Sequence, residues 1–208
     1  MIKNLLFDMG NVLIRFAPGV FIDRLGLPEA EDRLALNNEL FGSLDWVRLD
    51  RGVIGEDEII RSVCARLPRR LHDAVETLAR HWDEPPLPVA GMEALAGELA
   101  DRGYELYLLT NAGPRHREYW PRYPVARFFP EERVFRSADY KLLKPESAFY
   151  LSALERFGLD AGECLFIDDN AVNAESAARL GIDVIVFHGA DHLRRCLARR
   201  GLLPPEKE

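Results

Sequence analysis

Cysteine is scarce in this chain: three residues in 208, Cys64, Cys164 and Cys196. An odd count at spacings that match neither a disulfide framework nor a zinc motif leaves the fold to its hydrophobic core. The three thiols are then expected to be small buried hydrophobes of a reducing cytoplasm. Excess positive charge is also missing. With 27 Lys and Arg against 34 Asp and Glu, a formal charge of −7, attraction to nucleic-acid phosphates or anionic lipid is not the organising principle. The one basic stretch, Arg194, Arg195, Arg199 and Arg200, leaves Leu193 and Leu197 on one helical face and reads as a solvated flank. No apolar run approaches the ~20 residues of a membrane span. The opening MIKNLLFDMG is interrupted by Asp8 before a signal-peptide pattern develops. Internal repeats and low-complexity segments are absent, apart from a polar tail, 204–208, that is expected to fray. These absences describe a cytoplasmic globular protein with neither nucleic acid nor membrane as partner, and leave monomer or dimer open.

What is present is an alternation. Short apolar runs at 5–7, 106–109, 134–135, 164–167 and 184–187 are separated by helical periodicity at 91–102, 146–157 and 171–180. Gly103, Gly158 and Gly181 stand just past those helical stretches, where a helix end favours positive φ. This pattern predicts an α/β fold, a Rossmann-like parallel sheet flanked by helices. One region breaks it. Residues 16–86 contain no convincing strand, and Trp46, Leu49, Ile54, Ile59, Ile60 and Leu67 follow helical spacing. A strand-to-helix loop normally runs about 2–6 residues, so this stretch is expected to be a small all-α helical-bundle cap inserted after the first strand. The core would comprise 1–15 and 87–208, and Pro85, Pro86 and Pro88 would mark the return.

In open parallel sheets ligands bind beyond the carboxyl ends of the strands. The first run ends in Asp8, within FDMGNV, and the second in Thr110, Asn111, Ala112 and Gly113. After the third comes Lys144-Pro145-Glu146, and the fourth ends in Asp168, Asp169 and Asn170. Carboxylates gathered at adjacent strand ends raise each other's cost of ionising. Mg²⁺, which takes hard oxygen ligands and shares them with phosphate and water, relieves that cost and fits Asp8 and Asp169, with Asp168 a further ligand or a support. Thr110 and Asn111 offer a hydroxyl and backbone N–H groups to a phosphate, and Lys144 a compact positive charge. Taken singly each station has an ordinary explanation as a turn, cap or surface loop. Four at successive strand ends, in order, point to a phosphate site.

These stations resemble those of the haloacid dehalogenase (HAD) superfamily, in particular members with a helical cap after the first strand, over nearly the whole chain. The Asp-X-Gly-Asn-Val opening and the segment 46–52, WVRLDRG, are similar to those of bacterial sugar-phosphate phosphatases of the α-glucose-1-phosphate type. The resemblance implies a hydrolase acting on a small phosphorylated metabolite through an aspartyl phosphate on Asp8. It further implies metal ligation by Asp8, the Gly10 backbone oxygen and Asp169, with Asp168 beside it, and a phosphoryl group held by Thr110, Asn111 and Lys144. Arg48, Arg51 and His116 are candidates to line the pocket, with Trp120 more suited to packing. His188 and His192, four apart, lack a third ligand and read as a surface pair.

Gly10 departs from the many relatives that carry a second aspartate there as general acid and base. General acid catalysis is typically worth ~10²–10⁴-fold, so a substrate with an acidic leaving oxygen, such as an anomeric sugar phosphate or an acyl phosphate, is expected. Two rivals stand beside the phosphatase. A 2-haloacid dehalogenase would use the same aspartate on carbon without metal, but has no use for the doubled acid at 168 and 169. A catalytically weakened phosphate-binding protein would have lost turnover through Gly10. A phosphomutase would need proton shuttling where Gly10 stands.

Overall fold

Five short apolar segments pair into one parallel sheet in the computed structural model, which describes residues 1–205; the last three residues of the tail expected to fray lie outside the described residues. The strands are β1 (Asn4–Phe7), β2 (Glu105–Thr110), β3 (Val134–Arg136), β4 (Cys164–Asp168) and β5 (Asp183–Val186). Their order is β3-β2-β1-β4-β5. A central strand of a sheet covered on both faces must be apolar on both. Leu5 and Phe7 accordingly enter one core layer and Leu6 the other, as period-two alternation requires. The last strand begins one residue before the apolar run, because the Asp183 backbone pairs with Leu165 while its side chain stays in solvent at the sheet edge.

The chain between β1 and β2 carries α1 (Pro18–Asp23), α2 (Ala30–Leu36), a π turn (Asn37–Phe41), α3 (Leu44–Asp50), α4 (Glu56–Cys64), α5 (His72–His81) and α6 (Met92–Asp101). Further on come the short α7 (His116–Tyr119) and α8 (Ser137–Tyr140), then α9 (Ser147–Phe157), α10 (Ala171–Ala178) and α11 (Ala190–Arg199). Leu95 and Leu99 of α6, with Leu193 and Leu197 of α11, cover the Leu5 face. Phe149 and Tyr150 of α9, with Ala177 of α10, cover the Leu6 face. Gly158 closes α9 at φ 65°, and the Asn170 side chain caps α10 by accepting from the Val172 N–H at 2.9 Å. The basic flank of α11 is solvated or paired, Arg194 with Glu98 at 2.6 Å and Arg200 with Asp183 at 3.0 Å. None of the helices among the described residues is long and apolar enough to cross a membrane.

The helical insert, α1 to α5, leaves and rejoins the sheet side by side. Arg15 N–H donates to the Leu87 carbonyl at 2.7 Å and Val89 N–H to the Leu13 carbonyl at 3.0 Å. Its interior is an aromatic cluster of Phe16, Phe21, Phe41, Trp46 and Trp82, each ring packed edge-on or tilted against another. Such rings bury large apolar areas with favourable geometry. The end of α3 is fastened to the sheet side. Ser137 Oγ donates to the Asp50 carbonyl at 2.5 Å and accepts from the Ala112 N–H at 2.9 Å. Arg51 pairs with Glu146, and Lys141 Nζ donates to the Gly52 carbonyl. Gly52, at φ 71°, lies so close that a Cβ on it would stand 2.5 Å from the Ala138 carbonyl oxygen.

Candidate active site

The strand order has one reversal point. The chain builds β2 and β3 on one side of β1, then crosses to place β4 on the other, which opens a crevice at the carboxyl ends of β1 and β4. Register does the rest. Phe7 pairs with Ile167, and Asp8 N–H donates to the Ile167 carbonyl at 2.8 Å, so Asp8 emerges beside Asp168. Lys144 reaches both: its Nζ donates to Asp8 Oδ1 at 2.6 Å and to Asp168 Oδ2 at 2.8 Å. Asp169 stands next to them, half in solvent. One oxygen from each of Asp8, Asp168 and Asp169 lies within 4.8 Å of the others.

Each group is held by a neighbour. The Asn111 amide clamps the Lys144 backbone reciprocally, Nδ2 donating to its carbonyl at 3.0 Å and Oδ1 accepting its N–H at 2.9 Å. Asp168, fully buried, accepts from the Asn170 N–H at 2.8 Å and from Asn173 Nδ2 at 3.1 Å. Its oxygens are thus largely committed to fixing Lys144 and the start of α10. Thr110, the last residue of β2, is buried beneath the loop 111–113 that lines the cavity.

The electrostatics are unbalanced. Burial is the largest influence on Asp8 and raises its carboxyl pKa to about 7, with Lys144 pulling it down and Asp168 pushing it up. Burial disfavours the charge on Lys144, yet Asp8 and Asp168 outweigh this and raise its pKa. Burial, then Asp168, raise Asp169. Three carboxylates share one ammonium. The donors here are oxygens alone, without a thiolate or imidazole, and that set with its surplus negative charge fits magnesium rather than zinc. Asp8 and Asp169 have oxygens free to hold it, and the Gly10 backbone lines the same cavity.

The cavity, about 290 Å³, continues from these acids to the helical insert. Phe16, Trp46, Leu49, Ala79, Trp82 and Tyr119 give it an apolar wall, and Asp50, Glu56 and Arg115 are its polar groups on that side. Three of the pocket candidates read from the sequence lie elsewhere. His116 is wholly buried, its Nδ1 accepting from Arg136 Nε at 2.8 Å; burial and then Arg136 lower its pKa well below the usual value, so it is a neutral core residue. Arg48 is half-exposed and pairs with Asp45 at 3.3 Å. Arg51 is spent on Glu146. Trp120 is buried, and His188 with His192 forms a pair of rings 5.0 Å apart on the outer side of α11.

The sequence reading passed over Asn173, Asp50, Arg115 and the aromatic wall. A polar residue on the inner face of α10, five after Asp168, could have signalled Asn173. Trp46, Leu49 and Asp50 share one face of α3 at i, i+3 and i+4, and Arg115 and Tyr119 are four apart, but spacing alone does not say that those faces meet the cavity.

Residues 2–181 match a family model described as haloacid dehalogenase-like hydrolase. The chain is 27% identical over 203 residues to sesquiterpene phosphatase astK of Aspergillus oryzae, covering 97% of this chain and 96% of that protein. It is 26% identical over 166 residues to flavin mononucleotide hydrolase 1 of Arabidopsis thaliana, covering 76% of this chain and 62% of the relative. Among solved structures, a HAD family enzyme of Bacteroides thetaiotaomicron in complex with magnesium and inorganic phosphate superposes with a TM-score of 0.67 at 24% identity, over 93% of this chain and 99% of that one.

Proposed function

The chain belongs to the haloacid dehalogenase-like hydrolases, and from that premise we propose that it is a magnesium-dependent phosphatase transferring the phosphoryl group of a small organic phosphate to Asp8 and then to water. One observation carries the reading: Asp8, Asp168 and Asp169 converge at the switch point with Lys144 bridging the first two. A carboxylate aimed into a cavity beside a buried ammonium is a nucleophile with a charge partner for the incoming phosphoryl group. Asp8 attacks phosphorus. Lys144 neutralises the transferring group, Asp168 and Asn111 hold Lys144 in place, and Asp8, the Gly10 carbonyl and Asp169 would hold the metal. Magnesium, when bound, would supply charge neutralisation at Asp8 and at the phosphoryl oxygens. Thr110 and the backbone of loop 111–113 complete the phosphate cradle.

We assign residues 16–86 to a helical cap domain that closes aromatic side chains over the site and excludes water, and residues 1–15 and 87–208 to the catalytic core. The three free thiols support a cytoplasmic location.

For the group that carries the phosphate, a sugar phosphate with an anomeric leaving oxygen is the reading that Gly10 favours. A second reading, a phosphorylated isoprenoid alcohol or flavin, is favoured by the wall of Phe16, Trp46, Trp82 and Tyr119, against which an apolar chain or ring can pack. The names of the two curated relatives lie on the same side. The test measures phosphate release from glucose 1-phosphate, a C15 isoprenyl monophosphate and flavin mononucleotide, with magnesium and with EDTA. Release from at least one, lost in EDTA, is expected. EDTA-insensitive halide release from 2-chloropropionate with no phosphatase activity would replace this reading with dehalogenation.

A further inference from the structure

Phosphoryl transfer to Asp8 leaves an alkoxide that needs a proton, and Gly10 has no side chain to give one. The titratable groups facing the cavity narrow the choice. Lys144 is bound to two carboxylates, at 2.6 and 2.8 Å, and Arg115 to Asp83 at 2.9 Å. Burial lifts the Tyr119 phenol well above its usual pKa. Asp8 and Asp169 belong to the nucleophile and metal side. Two acids remain, Asp50 and Glu56. Glu56 opens α4, beyond the turn that follows Gly52, and the contacts that tie the end of α3 to the phosphate-side loop do not involve it. Asp50 is the last residue of α3, at a negative helix end that favours the protonated form.

We propose that Asp50 is the general acid and base of the reaction, reaching the leaving oxygen from the wall of the cavity that the helical insert provides. The proposal rests on the phosphatase reading. Burial raises the Asp50 carboxyl well above the usual range, and the neighbouring Gly113 N–H and Trp46 side chain oppose this in part. Its position is fixed by the sheet side. Ser137 holds the Asp50 carbonyl at 2.5 Å, and Leu49 presses on Gly113 so closely that a Cβ there would stand 3.2 Å from Leu49 Cγ. Gly113 ends the same loop whose Asn111 clamps Lys144, so acid and phosphate site share one scaffold.

The proton account closes. An Asp8 oxygen bonds to phosphorus as the ester P–O bond breaks, and the departing electron pair on oxygen takes the proton of the Asp50 carboxyl, releasing the alcohol. Water then enters where the alcohol left, gives a proton to the Asp50 carboxylate and bonds to phosphorus. The P–O bond to Asp8 breaks, its electron pair returns to Asp8, and phosphate leaves with Asp50 reprotonated. With such an acid, esters of ordinary alcohols no longer need an activated leaving oxygen.

The test compares the wild type with Asp50→Asn on an alkyl phosphate and on p-nitrophenyl phosphate, whose leaving group needs no proton. The variant is expected to lose about 10²–10³-fold in kcat on the alkyl ester and less than tenfold on the aryl ester, with Asp50→Glu recovering part of the alkyl activity. Equal losses on both esters, or none, would overturn the proposal. Independently of any variant, the wild-type rate should depend only weakly on leaving-group pKa across a series of alkyl and aryl phosphates; a steep dependence would also overturn it. A wild type inactive on every phosphate ester would instead remove the phosphatase reading itself.

Discussion

The two walls of the cavity are built on different principles. On the sheet side, Asp8, Asp168 and Asp169 are delivered by the ends of β1 and β4, whose register is fixed by backbone pairing, and Lys144 is held against Asp8 and Asp168 by hydrogen bonds to both. On the insert side, Trp46 and Asp50 come from α3, Glu56 from α4, Ala79 from α5 and Phe16 and Trp82 from the connections, a surface with no common axis. The first wall carries charge chemistry that tolerates no displacement. The second carries shape and, in our reading, one proton. In our reading the nucleophile and its charge partners lie on one wall and the proton donor on the other, so the reaction needs both.

The harshest way to break this division is Asp8→Asn, which removes the nucleophile and keeps the size. Phosphate turnover should fall by ~10⁴-fold or more, the rise in melting temperature on adding magnesium should shrink, and circular dichroism should be unchanged. Multiple turnover within tenfold of wild type would show that the sheet wall holds no nucleophile. Next in size is Gly52→Ala, which acts on the insert wall. Its left-handed backbone costs ~1–2 kcal/mol with a Cβ, and the contact with Ala138 adds to that. A total loss of ~2–4 kcal/mol in urea unfolding is expected, with kcat falling because Asp50 moves. Wild-type stability would mean that α3 is not tied to α8.

The smallest effect sharpens the comparison from inside the insert. Asp45 accepts from Ser62 Oγ at 2.7 Å and Arg66 Nη1 at 2.9 Å; the Ser62 bond, opposed by partial burial and joined by Arg66, lowers its pKa. A carboxyl whose folded pKa lies below its unfolded one contributes stability in full above the unfolded value, near ~3.9, and loses it as pH falls through the folded value. Asp45→Asn should thus cost ~1 kcal/mol at neutral pH and almost nothing in strong acid, without altering kcat. A stability difference that persists in acid would assign the cost to packing instead.

This contrast also explains what the sequence made legible. The five strands could be read because buried strands are short apolar runs, and even the displaced start of β5 reflects only that pairing is a backbone property. The sheet-side acids followed, since a parallel sheet puts every carboxyl end on one side. The insert wall did not follow. Arg48 and Arg51 were singled out for their charge, yet successive helical residues point about 100° apart, and it is Asp50 between them that faces the cavity. His116, three residues beyond the 110–113 loop, turns inward to Arg136, a partner twenty residues away that no local pattern announces.

The contact of Gly52 with Ala138 has one more consequence. A seam that closes backbone on backbone, and is stitched by Ser137, Lys141 and Glu146, makes α3 a fulcrum and not a door. A second tie lies beside Trp82, where Arg115 reaches the buried Asp83 at 2.9 Å. The proton donor of our proposal is thus carried on a wall clamped to the sheet from more than one side.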